Sequence, residues 1–288
     1  MSQVDPKRDI WGALINENKD TKSNDDKHFL FVGAQKSGKT TIQNKFFSRR
    51  ENPNSTLAIV YQNCQIRNNN RDFSLHFWEI GSGTKFEPII ESIIPENCIS
   101  RLNVFICFNI NIYSSIYEAI EWLGLLNARY KNKQQNLFLV GSFYDEFVTK
   151  DPSLRAQIVR GIRSIAYQSH AGVVFTSSKD ESLSNRLKNI IKSIGSSDDM
   201  ARERVTAHTM PIIAWPDEDT EANSPELVSS FTKFLQSEIK KDPSVKSNET
   251  DITSDPVFVE KGIDDIRSEK DKAFVDKLRV LRSNLSSV

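Results

Sequence analysis

The sequence predicts an α/β domain built around a mostly parallel β-sheet, and three observations support this fold class. Six short runs rich in Val, Ile and Phe have the length and composition of strands; they cover residues 28–33, 57–62, 73–79, 103–109, 136–141 and 172–176. Helix-period segments lie between several of these runs, at residues 39–48, 113–130, 152–169 and 180–194. A glycine-containing loop joins the first strand to the first helix. This alternation predicts parallel strands with helices on both faces of the sheet.

The connection between the second and third strands departs from that alternation. Its residues, "NCQIRNNNRD" at 63–72, are too few and too polar for a crossover helix, so these two strands should form an antiparallel hairpin. A strand, a loop, a helix, a hairpin and repeated βα units follow one another in the order found in Ras-like GTPase domains. We therefore expect a Ras-like P-loop domain with a six-stranded, mostly parallel sheet, one antiparallel hairpin and helices on both faces.

Four segments are expected along the chain. Residues 1–27 form an N-terminal extension with a short helix, and residues 28–241 form the Ras-like domain, which ends in a helix at about 225–241. Residues 242–257 are polar with two prolines and are predicted to be a linker. Residues 258–288 are predicted to form an amphipathic C-terminal helix that contacts a partner through Phe258, Ile263, Ile266, Phe274 and Leu278. The alternative is that this helix folds back on its own domain.

Charge and cysteine content limit the classes of partner. The chain has 38 Lys and Arg residues and 38 Asp and Glu residues, so its formal net charge is zero and no global field favours nucleic acid or a membrane surface. The three cysteines lack paired metal-ligand spacing, which fits a reducing compartment. No apolar run has the length of a signal-peptide core or a membrane span. We expect a cytosolic protein without nucleic acid partners or membrane insertion.

The segment "GAQKSGKT" carries the clearest chemical signal. It has the P-loop pattern of Gly, four residues, Gly, Lys and Thr, filled by Gly33, Gly38, Lys39 and Thr40. In such loops backbone N–H groups surround a phosphate, the lysine adds positive charge and the hydroxyl ligates magnesium. The expected nucleotide-binding residues are Gly33, Lys36, Ser37, Gly38, Lys39, Thr40, Thr41, Asp145 and Ser177.

The magnesium and hydrolysis positions are expected around the end of the third strand. "FWEIGSGT" resembles the W-D-x-G-G-Q segment of Arf-like GTPases, with Glu79 in place of the aspartate and Gly83 in place of the glutamine. The expected magnesium residues are Thr40, Thr56 and Glu79. A glycine cannot orient the attacking water, which is one of the few chemical tasks of a GTPase, so the segment predicts loss of hydrolysis and no catalytic residue is assigned.

Base recognition is expected after the fifth strand. Ras-like domains have N-K-x-D there, and this chain has "SFYD", which keeps the guanine-reading carboxylate as Asp145 and replaces the lysine by Phe143. The residues "SSK" at 177–179 stand where those domains have S-A-K. This combination favours guanine over adenine only modestly. The predicted cofactor is GTP or GDP with magnesium, and a site without any cofactor is the alternative.

The chain as a whole resembles the light intermediate chains of cytoplasmic dynein 2, the retrograde motor of cilia. The segments that carry the resemblance are "FLFVGAQKSGKTT", "STLAIVY", "HFWEIGSGT", "FLVGSFYD", "VVFTSSK" and "DPVFVEKGIDDIRSEKDKAF". The resemblance implies a non-catalytic subunit that binds the dynein 2 heavy chain and associated motor subunits, located in the cytoplasm, the cytoskeleton and the cilium or flagellum. The chain departs from that family at Ser82 and Phe143, where glycine and lysine are usual.

Two other functions stay open on the sequence. A working GTPase switch of Rab or Arf type would need a partner to supply the water-positioning group. A P-loop kinase or ATPase would need a strand-end aspartate on magnesium and an arginine-rich lid, and the sequence shows neither of these.

Overall fold

The computed structural model describes residues 26–241, with gaps at 51–52, 69–70, 82, 95–97, 99–101, 131–135 and 197–202, and residues 261–285. The chain divides into two compact units, Met1–Lys241 and Asp242–Val288. The helix expected within residues 1–27, the linker expected at 242–257 and Phe258 lie outside the described residues.

Among the described residues of the first unit, seven strands form a single sheet. Their order across the sheet is β2-β3-β1-β4-β5-β6-β7. The strands are β1 (Lys27–Gly33), β2 (Ile59–Asn68), β3 (Arg71–Ile80), β4 (Leu102–Asn109), β5 (Asn136–Ser142), β6 (Ala171–Phe175) and β7 (Ile213–Ala214). Neighbouring strands from β3 to β6 are parallel, whereas β2 and β7 run antiparallel to β3 and β6 at the two edges.

Helices connect and cover these strands. In chain order they are α1 (Lys39–Phe46), α2 (Ile90–Ile93), α3 (Tyr113–Tyr130), α4 (Tyr144–Phe147), α5 (Pro152–Gln168), α6 (Glu181–Ser196) and α7 (Pro225–Lys241). Short 3₁₀ helices at Gly83–Ile89 and Thr220–Ala222 complete the unit among the described residues. Helix α5 begins where the pattern predicts, because Asp151 accepts hydrogen bonds from the N–H groups of Ser153 and Leu154 and Pro152 follows it.

The central strand β1 shows why helices cover both faces of the sheet. Its side chains alternate: Leu30 and Val32 pack with core residues of α3, α5 and α7, whereas Phe29 and Phe31 pack with core residues of α1 and α6. All four side chains are fully buried. A strand buried on both faces appears in the sequence as a continuous apolar run, as residues 28–33 do.

The predicted fold class is confirmed, with one correction in strand number. All six predicted strands are present, and the second and third form the expected antiparallel hairpin. The seventh strand, β7, lies in a stretch to which the sequence analysis assigned no strand. Two residues are too few to show a period, yet Ile213 and Ala214 are buried because β7 pairs with Val173 and Val174.

The second unit contains helix α8 (Lys261–Leu285). Of the residues predicted for partner contact, Ile263, Ile266 and Phe274 are 61%, 57% and 62% exposed within the chain. Leu278 lies on the same helix. In the part of the chain that the structure describes, no helix combines the length and apolar character needed to cross a membrane.

Candidate functional site

The loop between β1 and α1 has the backbone conformation of a phosphate cradle. Gly33, Lys36 and Gly38 have φ angles of 121°, 58° and 91°, so three residues of one short loop have positive φ angles. Alternation of such residues with right-handed ones turns successive backbone N–H groups toward a common anion site. The loop lies at the carboxyl end of β1, where the chain continues to β2 and β3 on one side and then returns to β4 on the other. This switch point is the usual ligand crevice of an open α/β sheet.

Lys39 is almost completely buried at the start of α1. Its ammonium donates to the carbonyl oxygens of Gly33 at 2.9 Å and Ala34 at 2.8 Å, which uses two of its three N–H donors. Burial lowers the pKa of Lys39, although the acidic groups around it oppose that shift. The fully buried hydroxyl of Ser37 has no hydrogen-bond partner among the described residues. The loop therefore retains donors suited to an anion.

The expected magnesium residues converge on one carboxylate. The hydroxyls of Thr40 and Thr56 donate to the same oxygen, Oε1 of Glu79, at 2.7 and 2.8 Å. The amide of Gln43 donates to the other oxygen at 3.1 Å, and Glu79 is only 1% exposed. Two hydroxyls and a carboxylate are hard oxygen ligands, so the donor set fits a magnesium ion, which would neutralise phosphate charge when bound. No group of three or more His, Cys, Asp and Glu suited to a metal ion occurs in the described part of the chain.

The position that would hold the water-orienting glutamine is filled differently. Gly83 has a φ angle of 72°, and a Cβ atom built on it would lie 2.7 Å from Oε1 of Glu118. Burial raises the pKa of Glu118, and the positive charge of Lys39 opposes that shift. The same oxygen of Glu118 has no hydrogen-bond partner among the described residues. Space next to Gly83 is therefore taken by a side chain from α3.

Asp145 lies at the start of α4 and already has two partners. The hydroxyl of Ser177 donates to Oδ1 at 2.5 Å, and the ammonium of Lys179 lies 3.0 Å from Oδ2. Burial would raise the pKa of Asp145, but hydrogen bonds from Ser177 and Lys179 outweigh it and hold the pKa below its ordinary value. Lys179 also contacts Glu146 at 3.1 Å. The carboxylate is thus ionised and positioned, and its second oxygen faces a cation.

A groove extends from the phosphate loop along the space between α1 and α6. Its cavity volume is about 40 Å³, and it is lined at one end by polar residues and by Phe143. Its apolar side consists of Ile42, Phe46, Leu187 and Ile191. Phe143 also lines the phosphate pocket, which has a cavity volume of about 240 Å³, so this one side chain borders both spaces.

The structure brings most of the predicted site residues together. Lys36, Ser37, Gly38, Lys39, Thr40, Thr41, Thr56 and Glu79 line the phosphate pocket. Asp145 contacts Ser177, whose chain neighbours Thr176 and Ser178 line the groove. Sequence reasoning missed Gln43 and Glu118. Gln43 repeats at helical spacing from Lys39 and Thr40, which is the only signal that could have indicated it. Ser82 lies outside the described residues.

A parallel sheet, a phosphate cradle after its central strand and a buried lysine at the following helix define a Ras-like P-loop protein. No family model matches the sequence. The chain is 23% identical to cytoplasmic dynein 2 light intermediate chain 1 of Rattus norvegicus and of Danio rerio, and each match covers 86% of both chains. It is also 24% identical to septum-promoting GTP-binding protein 1 of Schizosaccharomyces pombe, over 51% of this chain and 72% of that protein.

These matches support the assignment of the chain to the dynein 2 light intermediate chain family. The similarity to the fission yeast protein agrees with the P-loop fold. The dynein matches cover most of the chain, whereas the match to the GTP-binding protein covers only about half of it.

Proposed function

We propose that the chain is a non-catalytic light intermediate chain of dynein 2, which binds and stabilises the heavy-chain tail for retrograde intraflagellar transport. Its relatives over most of its length are dynein 2 light intermediate chains, which supports a role as a subunit of that motor. The proposed location is the cytoplasm, the cytoskeleton and the cilium or flagellum. The proposed partners are the heavy chain and associated motor subunits, without nucleic acid and without membrane insertion.

One observation carries the non-catalytic part of this proposal. Gly83 stands where an Arf-like GTPase has its water-orienting glutamine, and the carboxylate of Glu118 occupies the adjacent space. Without a group that orients water, a phosphate site still positions a nucleotide but lacks an important part of the hydrolysis machinery. The domain therefore works as a scaffold whose nucleotide, GDP or GTP with magnesium, stabilises the folded state by mass action.

An active GTPase switch of Rab or Arf type is the second candidate. The contacts of Thr40 and Thr56 with Glu79 favour it, because these are the residues that would hold magnesium in a nucleotide-dependent conformation. This candidate requires hydrolysis stimulated by a partner. Single-turnover GTP hydrolysis that rises when motor subunits are added would favour the switch over the scaffold.

The proposed partner surface includes helix α8. Three of its apolar side chains, Ile263, Ile266 and Phe274, are more than half exposed, and these residues belong to the set predicted for partner contact. Phe258 and Leu278 complete the proposed set. An amphipathic helix that binds in a groove of a partner uses apolar residues at this type of spacing.

Lys39→Ala should abolish nucleotide binding and leave the complex with the heavy chain intact. We expect affinity for GDP to fall by about 100-fold or more, because the variant removes the buried ammonium that would pair with the phosphate charge. Protein purified without added nucleotide would be denatured and the released nucleotide identified by chromatography, in parallel with co-purification of the heavy chain. Lys233→Ala on α7, an exposed lysine, is the control. A folded Lys39→Ala protein that loses the heavy chain would contradict the proposal.

Deletion of residues 256–288 should weaken the heavy-chain complex without lowering the melting temperature of the first unit. Replacing Ile263, Ile266 and Phe274 together by alanine should have a similar effect, at least about tenfold in Kd, since each buried apolar side chain contributes roughly 1.5–3 kcal/mol. Lys270→Ala with Lys272→Ala, on the same helix, is the matched control. Unchanged affinity in the triple variant would exclude the apolar face of α8 as a major contact.

A further inference from the structure

The carboxylate that would read guanine is already engaged inside the protein. Guanine presents two N–H donors to such a carboxylate, one for each oxygen. In this chain Oδ1 of Asp145 accepts from Ser177 at 2.5 Å, and Oδ2 lies 3.0 Å from the ammonium of Lys179. Each carboxylate oxygen can accept more than one hydrogen bond, so a guanine base would have to share Oδ2 with Lys179 or displace it in order to use both oxygens.

The contact of Lys179 with Asp145 is a solvent-exposed ion pair, so it can compete with a guanine base for the carboxylate and can also be displaced by one. Its ammonium lies between two carboxylates, Asp145 at 3.0 Å and Glu146 at 3.1 Å. Its side chain is 67% exposed, so water and salt screen the pair. Such a pair lowers the affinity that the carboxylate adds for guanine by a small factor, and it does not prevent a base from binding.

The apolar contacts available to a base do not depend on its identity. Phe143 borders both the phosphate pocket and the groove, and an aromatic ring stacks on any purine. Its backbone is fixed in a left-handed conformation with φ of 61°, and its carbonyl accepts a hydrogen bond from Asn111 at 3.0 Å. The apolar side of the groove, which consists of Ile42, Phe46, Leu187 and Ile191, likewise has no donors or acceptors on its side chains.

We propose that Lys179 is a specificity-determining residue that competes with guanine for Asp145, so that the site takes purine nucleoside diphosphates with little preference between guanine and adenine. This inference rests on the proposed function, in which the loop binds a nucleotide. Phosphate contacts at the loop and stacking on Phe143 then supply most of the affinity. Lys179 decides how much of the guanine-specific contact is added.

The test is Lys179→Met in the full chain, which keeps an unbranched side chain and removes the charge. The matched control is Lys241→Met, because Lys241 is 70% exposed and pairs with Glu238 at 2.6 Å, away from the site. GDP and ADP binding would be measured by calorimetry with magnesium, at about 0.05 M and 0.5 M salt. Wild-type protein is expected to bind GDP and ADP within about threefold of each other at low salt, because an exposed pair offsets only about one weak contact.

Lys179→Met should tighten GDP binding by about threefold to fivefold and leave ADP binding unchanged, the range expected for release of an exposed ion pair. Higher salt should raise the GDP preference of the wild type and not that of Lys179→Met, because only the wild type contains the screened pair. A mutant whose GDP to ADP ratio equals that of the wild type would overturn the inference, while nucleotide binding itself still holds. A wild type that binds neither nucleotide would overturn the nucleotide part of the proposed function together with this inference.

Discussion

Arg163→Ala is expected to lower the free energy of unfolding by about 3–5 kcal/mol, because it leaves a buried carboxylate without its bidentate partner and with only Arg204 at 3.9 Å. Arg163 of α5 donates through Nε and Nη2 to the two oxygens of Asp219, each at 2.6 Å, and through Nη1 to the carbonyl of Thr206 at 2.9 Å. The two side chains are only 12% and 6% exposed. The pair connects α5 to the segments on both sides of β7, so its loss also loosens that edge of the sheet.

The control for this prediction is a hydrogen-bonded contact between nearby segments. His170 and Asp217 lie 2.6 Å apart, but their side chains are 80% and 64% exposed. Asp217→Asn should therefore change the urea midpoint very little, whereas Arg163→Ala should shift it strongly with an unchanged m-value. Equal effects of the two substitutions would show that burial does not determine the contribution of the Arg163 pair.

Gly33→Ala should be the most damaging single substitution in the loop, with a cost of about 4 kcal/mol or more. A Cβ atom on Gly33 would lie 2.0 Å from the carbonyl oxygen of Cys107, and the φ angle of 121° is one that side chains rarely adopt. The clash is with the backbone of β4, so no side-chain rotation relieves it. Thermal unfolding would detect the loss of stability. The amount of nucleotide released on denaturation of the purified protein should fall as well.

Gly124→Ala provides the opposite case in the same protein. Gly124 lies within α3, and no atom lies within 4 Å of the position where its Cβ would be placed. Alanine there should stabilise the protein by about 0.5–1 kcal/mol, because glycine in a helix interior has an entropic cost. If Gly33→Ala were tolerated as well as Gly124→Ala, that result would contradict the close approach of β1 to β4 at Gly33.

The sequence predicted most of the fold because its signals are local. Helix α3 was predicted at 113–130 and runs from Tyr113 to Tyr130, since its apolar residues repeat over several turns. Strand β7 was missed, because two residues show no period and their burial depends on β6, which lies about 40 residues earlier in the chain. Elements fixed by distant partners cannot be read from a short window.

The candidate site likewise contains features that local sequence predicts and features that depend on residues far apart in the chain. The loop from Gly33 to Thr40 was predicted from spacing alone, because its conformation depends mainly on its own residues. The hydrogen bond from Gln43 to Glu79, the ion pair of Lys179 with Asp145 and the position of Glu118 beside Gly83 were not predicted. Each of these joins residues more than 30 positions apart, so it follows from the assembled sheet and from how far each side chain reaches.

The strand order has a consequence for how the protein folds. The β2–β3 hairpin is the local strand pair, whereas β1 pairs with β3 through His28 and His76 and with β4 through His28 and Leu102. Closing such long loops is slow compared with hairpin formation, so we expect β1 to be inserted between β3 and β4 after the hairpin has formed. During synthesis on the ribosome, a nascent chain whose β4 has not yet left the exit tunnel would then lack the backbone that packs against Gly33. The phosphate cradle, although encoded near the start of the chain, would therefore mature only after β4 has been synthesised.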